Sequence, residues 1–273
     1  MNFLVYGEGV IKRGKYSYYM DRFLKSNLDI FLNEAIPNKW DGLFIITGRE
    51  GSGKSYFTSQ IAAYCDINFG IKYCVYTPQQ FENAIDYCKP ESSIMWDEAI
   101  TGANVSTHAS KISVSIVSKL TQIRKKRLKI FLCFPYLSML NKYFIARSIG
   151  GFYIYAKNFA DRGHGLFYDS TKLQKLYFLM KEKFRYNPQD AIKVVKPNFP
   201  FNYPNVLTLD EKEYDLKKEK SRIDMAKNDS RDLWKDRLKT LIDHIRKNNG
   251  YTWNDVAKLY GIRRPTLIQN LQQ

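Results

Sequence analysis

The residues with the clearest chemistry lie at positions 43–55, in the stretch Leu-Phe-Ile-Ile-Thr-Gly-Arg-Glu-Gly-Ser-Gly-Lys-Ser. The apolar run at 43–46 indicates a buried strand, and the residues after 55 have the pattern of a helix. Between them, Gly-x-x-x-x-Gly-Lys-Ser in a strand–loop–helix context is the signature of a phosphate-binding loop, or P-loop. Its glycines let backbone N–H groups turn inward around a polyphosphate without a clash from Cβ. The stretch therefore predicts a nucleotide site.

Individual residues of this loop have distinct expected roles. Lys54 is placed to reach the β- and γ-phosphates, and the Ser55 hydroxyl is placed as a ligand of Mg²⁺. The following helix directs the positive end of its dipole at the same anion. The pattern thus predicts ATP and Mg²⁺ as cofactors. The expected nucleotide-binding residues are Gly48, Arg49, Glu50, Gly51, Ser52, Gly53, Lys54, Ser55 and Tyr56.

A second signal is the acidic pair that ends the apolar run at 93–98, Ser-Ile-Met-Trp-Asp-Glu. Asp97, at the carboxyl end of this expected strand, can hold Mg²⁺ directly or through a water molecule. Glu98 is placed to polarise the water that attacks the γ-phosphate. An acidic doublet is common by itself. After a phosphate-binding loop and an intervening β-rich run at 72–76, it predicts nucleotide hydrolysis.

The elements that must position these residues follow from hydrophobic spacing. The apolar runs 166–168 and 176–179 are expected to pair as a closing hairpin around residues 169–172. Together the elements predict an α/β fold. Helices are expected at 21–35, from Pro78 to about 87 and at 110–127, and strands at 128–134 and 151–155.

The charge of the chain is strongly positive, with 43 Lys and Arg against 27 Asp and Glu and a formal net charge of +16. Such an excess favours a polyanionic partner, most often nucleic acid. No acidic residue occurs between Glu98 and Asp161, which we interpret as a track for the phosphates of DNA. Lys125, Lys126 and Arg127 are its expected DNA contacts. The basic residues of the stretch are Lys111, Lys119, Arg124, Lys125, Lys126, Arg127, Lys129, Lys142, Arg147 and Lys157.

The cysteines and the apolar segments bear on the compartment. Cys65, Cys74, Cys88 and Cys133 have no paired C-x-x-C spacing, so we expect reduced, mostly buried thiols in a cytoplasmic protein and no zinc site. The N-terminus lacks the apolar core of a signal peptide. The longest apolar patch, at 130–140, is too short to cross a bilayer. We therefore expect a soluble protein, or at most a peripheral one.

Residues 41–180 resemble the HerA/FtsK-like branch of P-loop ATPases, in particular the DNA-packaging, conjugative-coupling and zonular-occludens-toxin-like proteins of viruses and mobile elements. The resemblance rests on Gly48–Ser55, on Ile94–Glu98 and on a helix that ends in Arg124 before the strand at 128–134. It implies a RecA-like core, a mainly parallel sheet sandwiched by helices, that hydrolyses ATP to do mechanical work. If the source is viral, the host cytoplasm is the expected location.

The resemblance also implies assembly. In this family an arginine at the end of that helix often reaches the γ-phosphate of a neighbouring subunit in a ring. A homo-oligomeric ring, with six subunits as the expected number, would use Arg124 as this finger and Arg147 as the second choice. A basic residue favoured by the helix dipole is the alternative explanation of Arg124. The chain departs from the family at Phe134, where a polar sensor commonly ends the strand.

The C-terminal part of the chain changes character. The P-loop domain is expected at 1–186, with a helical extension at 1–41, and a Pro-rich and charged linker at 187–231. The domain at 232–273 resembles an all-α helix-turn-helix of the resolvase or sigma-like type, whose second helix enters the major groove. A three-helix protein–protein module is the alternative. The residues expected to face DNA are Arg263, Arg264, Thr266, Gln269 and Asn270.

Three functions remain open from the sequence. The first is an ATP-driven DNA motor of a virus or mobile element, acting in genome packaging or DNA transfer. The second is an ATP-switched DNA-binding regulator or replication initiator, which would not displace a roadblock bound to DNA. The third is an assembly ATPase for filamentous particles, which would associate with membrane or coat protein even after nuclease treatment.

Overall fold

The computed structural model of the chain describes residues 9–13, 16–99, 119, 122–158, 161–183, 188–225, 240, 242–243, 250, 252–259 and 263–265. The chain forms two compact units, Met1–Leu216 and Lys217–Gln273. Within the described residues, no helix is both long enough and apolar enough to cross a bilayer.

The N-terminal elements precede the central sheet. They are β1 (Val10–Arg13), β2 (Tyr16–Tyr19), α1 (Arg22–Ile30) and a π-helical continuation at Phe31–Ala35. The Asp21 side chain caps α1 by accepting from the N–H of Phe23 at 2.9 Å. The helix predicted at 21–35 is therefore confirmed. The antiparallel β1–β2 hairpin was not foreseen.

A seven-stranded sheet forms the core of the first unit, in the order β4-β5-β6-β3-β7-β8-β9. The five strands from β4 to β7 run parallel, and β8 and β9 run antiparallel to their neighbours. The predictions of strands at 43–46, 93–96, 128–134 and 151–155 are confirmed. The strands are β3 (Gly42–Thr47), β4 (Cys74–Val75), β5 (Ser93–Trp96), β6 (Lys129–Phe134), β7 (Gly150–Tyr155), β8 (His164–Asp169) and β9 (Phe199–Asn202).

Helices accompany the sheet, and every residue of β3, β5 and β6 is buried. Burial on both faces explains why these strands read as continuous apolar runs. The helix predicted from Pro78 is confirmed, with Thr77 as its cap. The helices are α2 (Lys54–Cys65), α3 (Pro78–Tyr87), α4 (122–126), α5 (Lys142–Arg147), α6 (Ser170–Glu182) and α7 (Pro188–Val194). A further helix, α8 (211–225), begins in the first unit and ends in the second.

The place of β4 in the sheet differs from its place in the order of strands along the chain. The sequence places this strand between the P-loop strand and the acidic strand, but in the sheet it lies at the edge, beside β5. It is β6 that lies between β3 and β5. The carboxyl ends of β3, β6 and β5 therefore meet side by side at one edge of the sheet.

The hairpin predicted from 166–168 and 176–179 is wrong, because residues 170–182 form helix α6. The Asp169 side chain caps this helix by accepting from the N–H of Lys172 at 2.9 Å. The apolar run at 176–179 is one part of a helical face whose buried members are Leu173, Leu176, Tyr177 and Met180. The antiparallel partners of β8 are β7 and β9 instead.

Part of the segment expected as a linker is folded onto the first unit. Residues 188–194 form α7, and residues 199–202 form β9, which pairs with β8 from Phe167↔Phe199 to His164↔Asn202. Pro200 is tolerated there because β9 is an edge strand and needs no further donor to the ladder.

The second unit contains α9 (Trp253–Leu259). Its N-terminus has a capping box, because the Thr252 N–H donates to Asp255 at 2.7 Å and the Asp255 N–H donates to the Thr252 hydroxyl at 3.3 Å. Arg263 and Arg264 are exposed. The other expected DNA contacts, Thr266, Gln269 and Asn270, lie outside the described residues, so the helix-turn-helix stays a prediction.

Candidate nucleotide site

The loop between β3 and α2 depends on glycine for its conformation. Gly48, Gly51 and Gly53 have φ angles of +147°, +74° and +96°, a region that L side chains rarely adopt. At Gly48 a Cβ would also lie 2.0 Å from the carbonyl oxygen of Ile154, whereas at Gly51 it would meet nothing within 4 Å. The glycine spacing read from the sequence therefore corresponds to a backbone requirement in the fold.

Two polar groups of this loop are arranged for an anion. The Lys54 ammonium donates to the carbonyl oxygens of Gly48 at 2.7 Å and Arg49 at 3.0 Å, across the loop. The Ser52 hydroxyl is buried and has no hydrogen-bond partner within the described residues. Buried polar groups in native proteins are nearly always paired, so this hydroxyl is a donor available to a ligand. A phosphate in the loop would accept from both groups, and the bond from Lys54 would be charge-assisted.

Ser55 and Asp97 come together although they lie on different elements. The Ser55 hydroxyl, on the first turn of α2, donates to both carboxylate oxygens of Asp97 at 3.1 Å. Asp97 follows β5 and is only 3% exposed. A hydroxyl and a carboxylate form the hard oxygen donor set that suits Mg²⁺, which takes its remaining ligands from water and phosphate. The residues present therefore fit this cation, with Ser55 and Asp97 as its holders.

Glu98 occupies a strained position at the same edge of the sheet. Its φ of +56° lies in the left-handed region, which costs a residue with a side chain about 1–2 kcal/mol. The backbone on either side is fixed, because the Asp97 N–H donates to Val75 at 2.9 Å and the Ala99 N–H donates to Cys133 at 3.1 Å. Such strain is found most often at functional sites, where surrounding structure maintains it.

A segment at residues 203–214, here called the closing segment, returns to the loop from β9. The Tyr203 hydroxyl donates to the carbonyl oxygen of Ser52 at 3.1 Å. The same hydroxyl would lie 2.7 Å from a Cβ at Gly53, so the ring lies directly against the loop. The closing segment thus begins as a contact of the P-loop itself.

The middle of the closing segment is bonded to α2. The Gln60 side-chain amide donates to the carbonyl oxygens of Pro204 and Val206, both at 2.7 Å. The Thr208 hydroxyl donates to the carbonyl oxygen of Ser59 at 2.8 Å. These bonds are part-buried or buried, so they fix the segment along the P-loop helix.

The closing segment ends at the acidic strand. The Tyr214 hydroxyl donates to Asp97 Oδ2 at 2.5 Å, and the Tyr76 hydroxyl donates to the main-chain oxygen of Tyr214 at 3.4 Å. Burial, and then the charge of Asp97, raise the pKa of Tyr214, so its hydroxyl stays protonated and can donate. Nearby, the Tyr56 hydroxyl donates to Glu211 at 2.8 Å. Tyr214 is not among the site residues predicted from the sequence, because no local sequence pattern indicates its role.

The two candidates for an arginine finger lie near the amino-terminal ends of the parallel strands, whereas the P-loop lies at their carboxyl-terminal ends. Arg147 forms an ion pair with Asp41 at 2.6 Å, just before β3 begins. The length of β3 separates that point from the loop, about 20 Å for a six-residue strand. Arg124 is exposed on α4, just before β6 begins at the same end. Neither arginine therefore lies at the P-loop of its own chain, and a finger role for Arg124 or Arg147 stays a prediction.

The basic stretch at 99–160 is less available to DNA than its composition indicates. The Lys126 ammonium donates to the carbonyl oxygens of Ile85, Asp86 and Cys88 at the end of α3, at 2.9, 2.7 and 3.2 Å. Arg127 pairs with Glu91 at 2.6 Å. The charged groups of these two expected DNA contacts therefore have partners within the chain, and their contact with DNA stays a prediction. Lys125 remains exposed.

Other basic residues of the stretch also have partners. Lys119 pairs with Asp86 at 2.5 Å, and Lys157 pairs with Asp161 at 3.7 Å. Lys129 is buried and donates to the carbonyl oxygen of Cys65 at 2.7 Å, and burial lowers its pKa. These partners lie outside the stretch, so the absence of acid within it does not by itself make its described residues one positive surface.

The first unit is thus a mixed α/β fold with a mostly parallel sheet and a P-loop at its carboxyl edge. No family model matches the chain, and no curated protein matches it. Among solved structures, it is similar to the genome packaging NTPase B204 from Sulfolobus turreted icosahedral virus 2 in complex with ATP-gammaS. The identity is 16% over 49% of this chain and 94% of that one, with a TM-score of 0.34.

Two further solved structures are similar to the chain. The FIGL-1 AAA domain shares 13% identity over 70% of this chain and 83% of that one, with a TM-score of 0.39. A chain of the E. coli MS115-1 HORMA:CdnC:Trip13 complex shares 15% identity over 64% and 70%, with a TM-score of 0.37. At these values the similarities concern the fold alone.

Proposed function

We propose that the chain is a Mg²⁺-dependent ATPase that works on DNA as a motor of a virus or mobile element, in genome packaging or DNA transfer. The observation that carries the ATPase part is the convergence of Ser55 and Asp97 beside a glycine-dependent loop. A loop that binds only phosphate needs no buried carboxylate at this point. A carboxylate next to the serine is what a metal-dependent nucleotide site requires.

In the proposed hydrolysis of ATP, each residue of the site has its own role. Lys54 and the loop amides hold the β- and γ-phosphates and offset charge that develops in the transition state. Bound Mg²⁺ would add charge neutralisation at the same phosphates. Glu98 orients the attacking water and accepts its proton. Arg124 of one subunit serves the site of the next, which is why we propose a ring, with six subunits as the expected number.

The DNA part of the proposal has separate support. The net charge of +16 favours a polyanion, and exposed basic residues remain after the internal pairs are removed. They include Arg124, Lys125 and Lys142 on the first unit and Arg263 and Arg264 on the second. We propose that the second unit loads DNA through a helix-turn-helix and that the first unit moves it.

The test is steady-state ATP turnover of the full chain with and without double-stranded DNA, with Lys54→Ala as the inactive control. A motor predicts Mg²⁺-dependent turnover that rises when DNA is added and is lost in Lys54→Ala. The chain should also displace a protein roadblock from DNA in one direction. Turnover that ignores every form of DNA would remove the motor and leave the ATPase.

The internal bonds made by the basic stretch favour a second candidate function. Because Lys126, Arg127 and Lys129 have partners within the chain, DNA contact could rest mainly on the second unit. That arrangement suits an ATP-switched DNA-binding regulator or replication initiator. It predicts nucleotide-dependent DNA affinity without displacement of the roadblock.

A further inference from the structure

We propose that Tyr214 is a positioning residue for the metal site, and that it fixes the carboxylate of Asp97 so that one of its oxygens faces Mg²⁺. The inference rests on the proposed function, because it concerns the same site. It adds a residue outside both sequence motifs, contributed by the closing segment at 203–214. The role it assigns is to set the affinity for the metal rather than to touch the substrate.

The hydrogen bonds from Ser55 and from Tyr214 to the Asp97 carboxylate differ in the oxygen that they reach. The Asp97 side chain is 3% exposed, and its partners include the hydroxyl groups of Ser55 and Tyr214, from which it accepts. Ser55 is equidistant from both carboxylate oxygens, at 3.1 Å, so it does not select between them. Tyr214 donates to Oδ2, at 2.5 Å. Of these two donors, the tyrosine therefore distinguishes one carboxylate oxygen from the other.

A bound metal would share the Ser55 hydroxyl with the Asp97 carboxylate. A serine hydroxyl that coordinates a cation uses an oxygen lone pair and keeps its O–H for the carboxylate. Tyr214 donates to Oδ2, so Oδ1 is the oxygen that we expect to face the metal or its water. Partners that orient metal ligands in this way typically contribute about 10–100-fold to metal affinity.

Tyr214 is itself held in place. It is 5% exposed, its ring packs edge-on against Tyr76 with centroids 5.8 Å apart, and Tyr76 donates to its main-chain oxygen. Upstream, Thr208 ties the closing segment to Ser59 of α2. The hydroxyl that orients Asp97 is thus fixed by packing and by bonds on both elements of the site.

The experiment measures the affinity of a fluorescent ADP analogue in excess Mg²⁺ and in EDTA, for the full chain and for Tyr214→Phe. The ratio of the two affinities is the metal coupling. We expect Tyr214→Phe to lower this ratio about tenfold or more and to leave the affinity in EDTA unchanged. Both affinities are properties of folded molecules, so partial unfolding reduces the signal amplitude and not the ratio.

Two matched variants separate positioning from general support. Tyr177→Phe removes a buried tyrosine hydroxyl from α6, and Tyr168→Phe removes one from β8; neither hydroxyl has a hydrogen-bond partner among the described residues. Both should keep the wild-type ratio. A loss in either variant that equals the loss in Tyr214→Phe would overturn the inference, since removal of any buried tyrosine hydroxyl would then have the same effect. In an Asp97→Asn background, Tyr214→Phe should have no further effect.

The failure of the inference and that of the proposed function give different results. If wild type binds the nucleotide more tightly with Mg²⁺ and Tyr214→Phe keeps the same ratio, Tyr214 does not position Asp97 and the ATPase proposal stands. If wild type shows no effect of Mg²⁺ on nucleotide affinity, the metal site itself is absent and both proposals fail.

Discussion

The Ser55 hydroxyl lies 3.1 Å from both carboxylate oxygens of Asp97, although 42 residues separate them in the chain and β6 separates their strands in the sheet. The contact is possible because Ser55 lies on the first turn of α2, just after the loop that follows β3, and Asp97 follows β5 at the same carboxyl end of the parallel strands. It joins the two sequence motifs into one site.

Removal of the lysine should weaken nucleotide binding. Lys54→Ala deletes the charge that would bond to the phosphates, and a hydrogen bond to a charged group contributes about 1.5–3 kcal/mol. We expect ADP affinity to fall about tenfold or more, measured by isothermal titration. Lys142→Ala removes an exposed lysine at the opposite edge of the sheet and is the control. An unchanged affinity in Lys54→Ala would place the nucleotide elsewhere.

The role of Glu98 separates binding from hydrolysis. Glu98→Gln keeps the size and the backbone demand of the residue but removes the group that accepts a proton. We expect ATP affinity to stay within about twofold and single-turnover hydrolysis to fall about a hundredfold. Glu82→Gln, on α3, is the control for loss of a negative charge. Hydrolysis at the wild-type rate in Glu98→Gln would assign the base to another residue.

Substitution of the loop glycines by alanine should lower the free energy of unfolding by different amounts. Gly48→Ala puts a Cβ 2.0 Å from a main-chain oxygen at Ile154, so we expect it to lower the free energy of unfolding by about 2 kcal/mol or more. Gly51→Ala meets open space and carries only the cost of its φ angle, about 1 kcal/mol. Chemical denaturation measures both. Equal costs would mean that the approach of β7 to the loop is looser than described.

Substitution of Arg147 should lower stability, whereas substitution of Arg124 should affect ATP turnover. Arg147→Ala leaves Asp41 buried without its cation, so we expect a loss of about 2 kcal/mol or more in unfolding free energy. Arg124→Ala removes an exposed side chain, so stability should change by less than about 0.5 kcal/mol. If Arg124 acts on a neighbour, mixing Arg124→Ala with Lys54→Ala subunits should recover part of the ATP turnover. No recovery, with both variants folded and assembled, would contradict a finger at Arg124.

The sequence was informative where a local pattern carries the physics. The loop glycines, the apolar strands and the capping residues Thr77 and Asp21 each act within a few positions, so their elements could be predicted. The order of strands in the sheet could not, because nothing local shows that β6 inserts between β3 and β5. The run at 176–179 is short enough to fit either a strand or a helix, and the cap at Asp169 decided the outcome.

Long-range partners account for the remaining differences. Tyr214 reaches Asp97 across 117 positions, from a stretch of mixed charge that gives no sign of a buried tyrosine. The basic stretch was interpreted from its own composition, whereas its partners Asp41, Asp86 and Glu91 come from earlier parts of the chain. Charge patterns along a sequence indicate a surface only after such pairs are known.

The most direct measurement is steady-state ATP turnover by the full chain in Mg²⁺, with and without double-stranded DNA, for wild type, Asp97→Asn and Glu98→Gln. The account predicts turnover in wild type that requires Mg²⁺ and rises with DNA, and losses of about a hundredfold in both variants. Wild-type turnover in the two variants, or none in wild type under any condition, would contradict it.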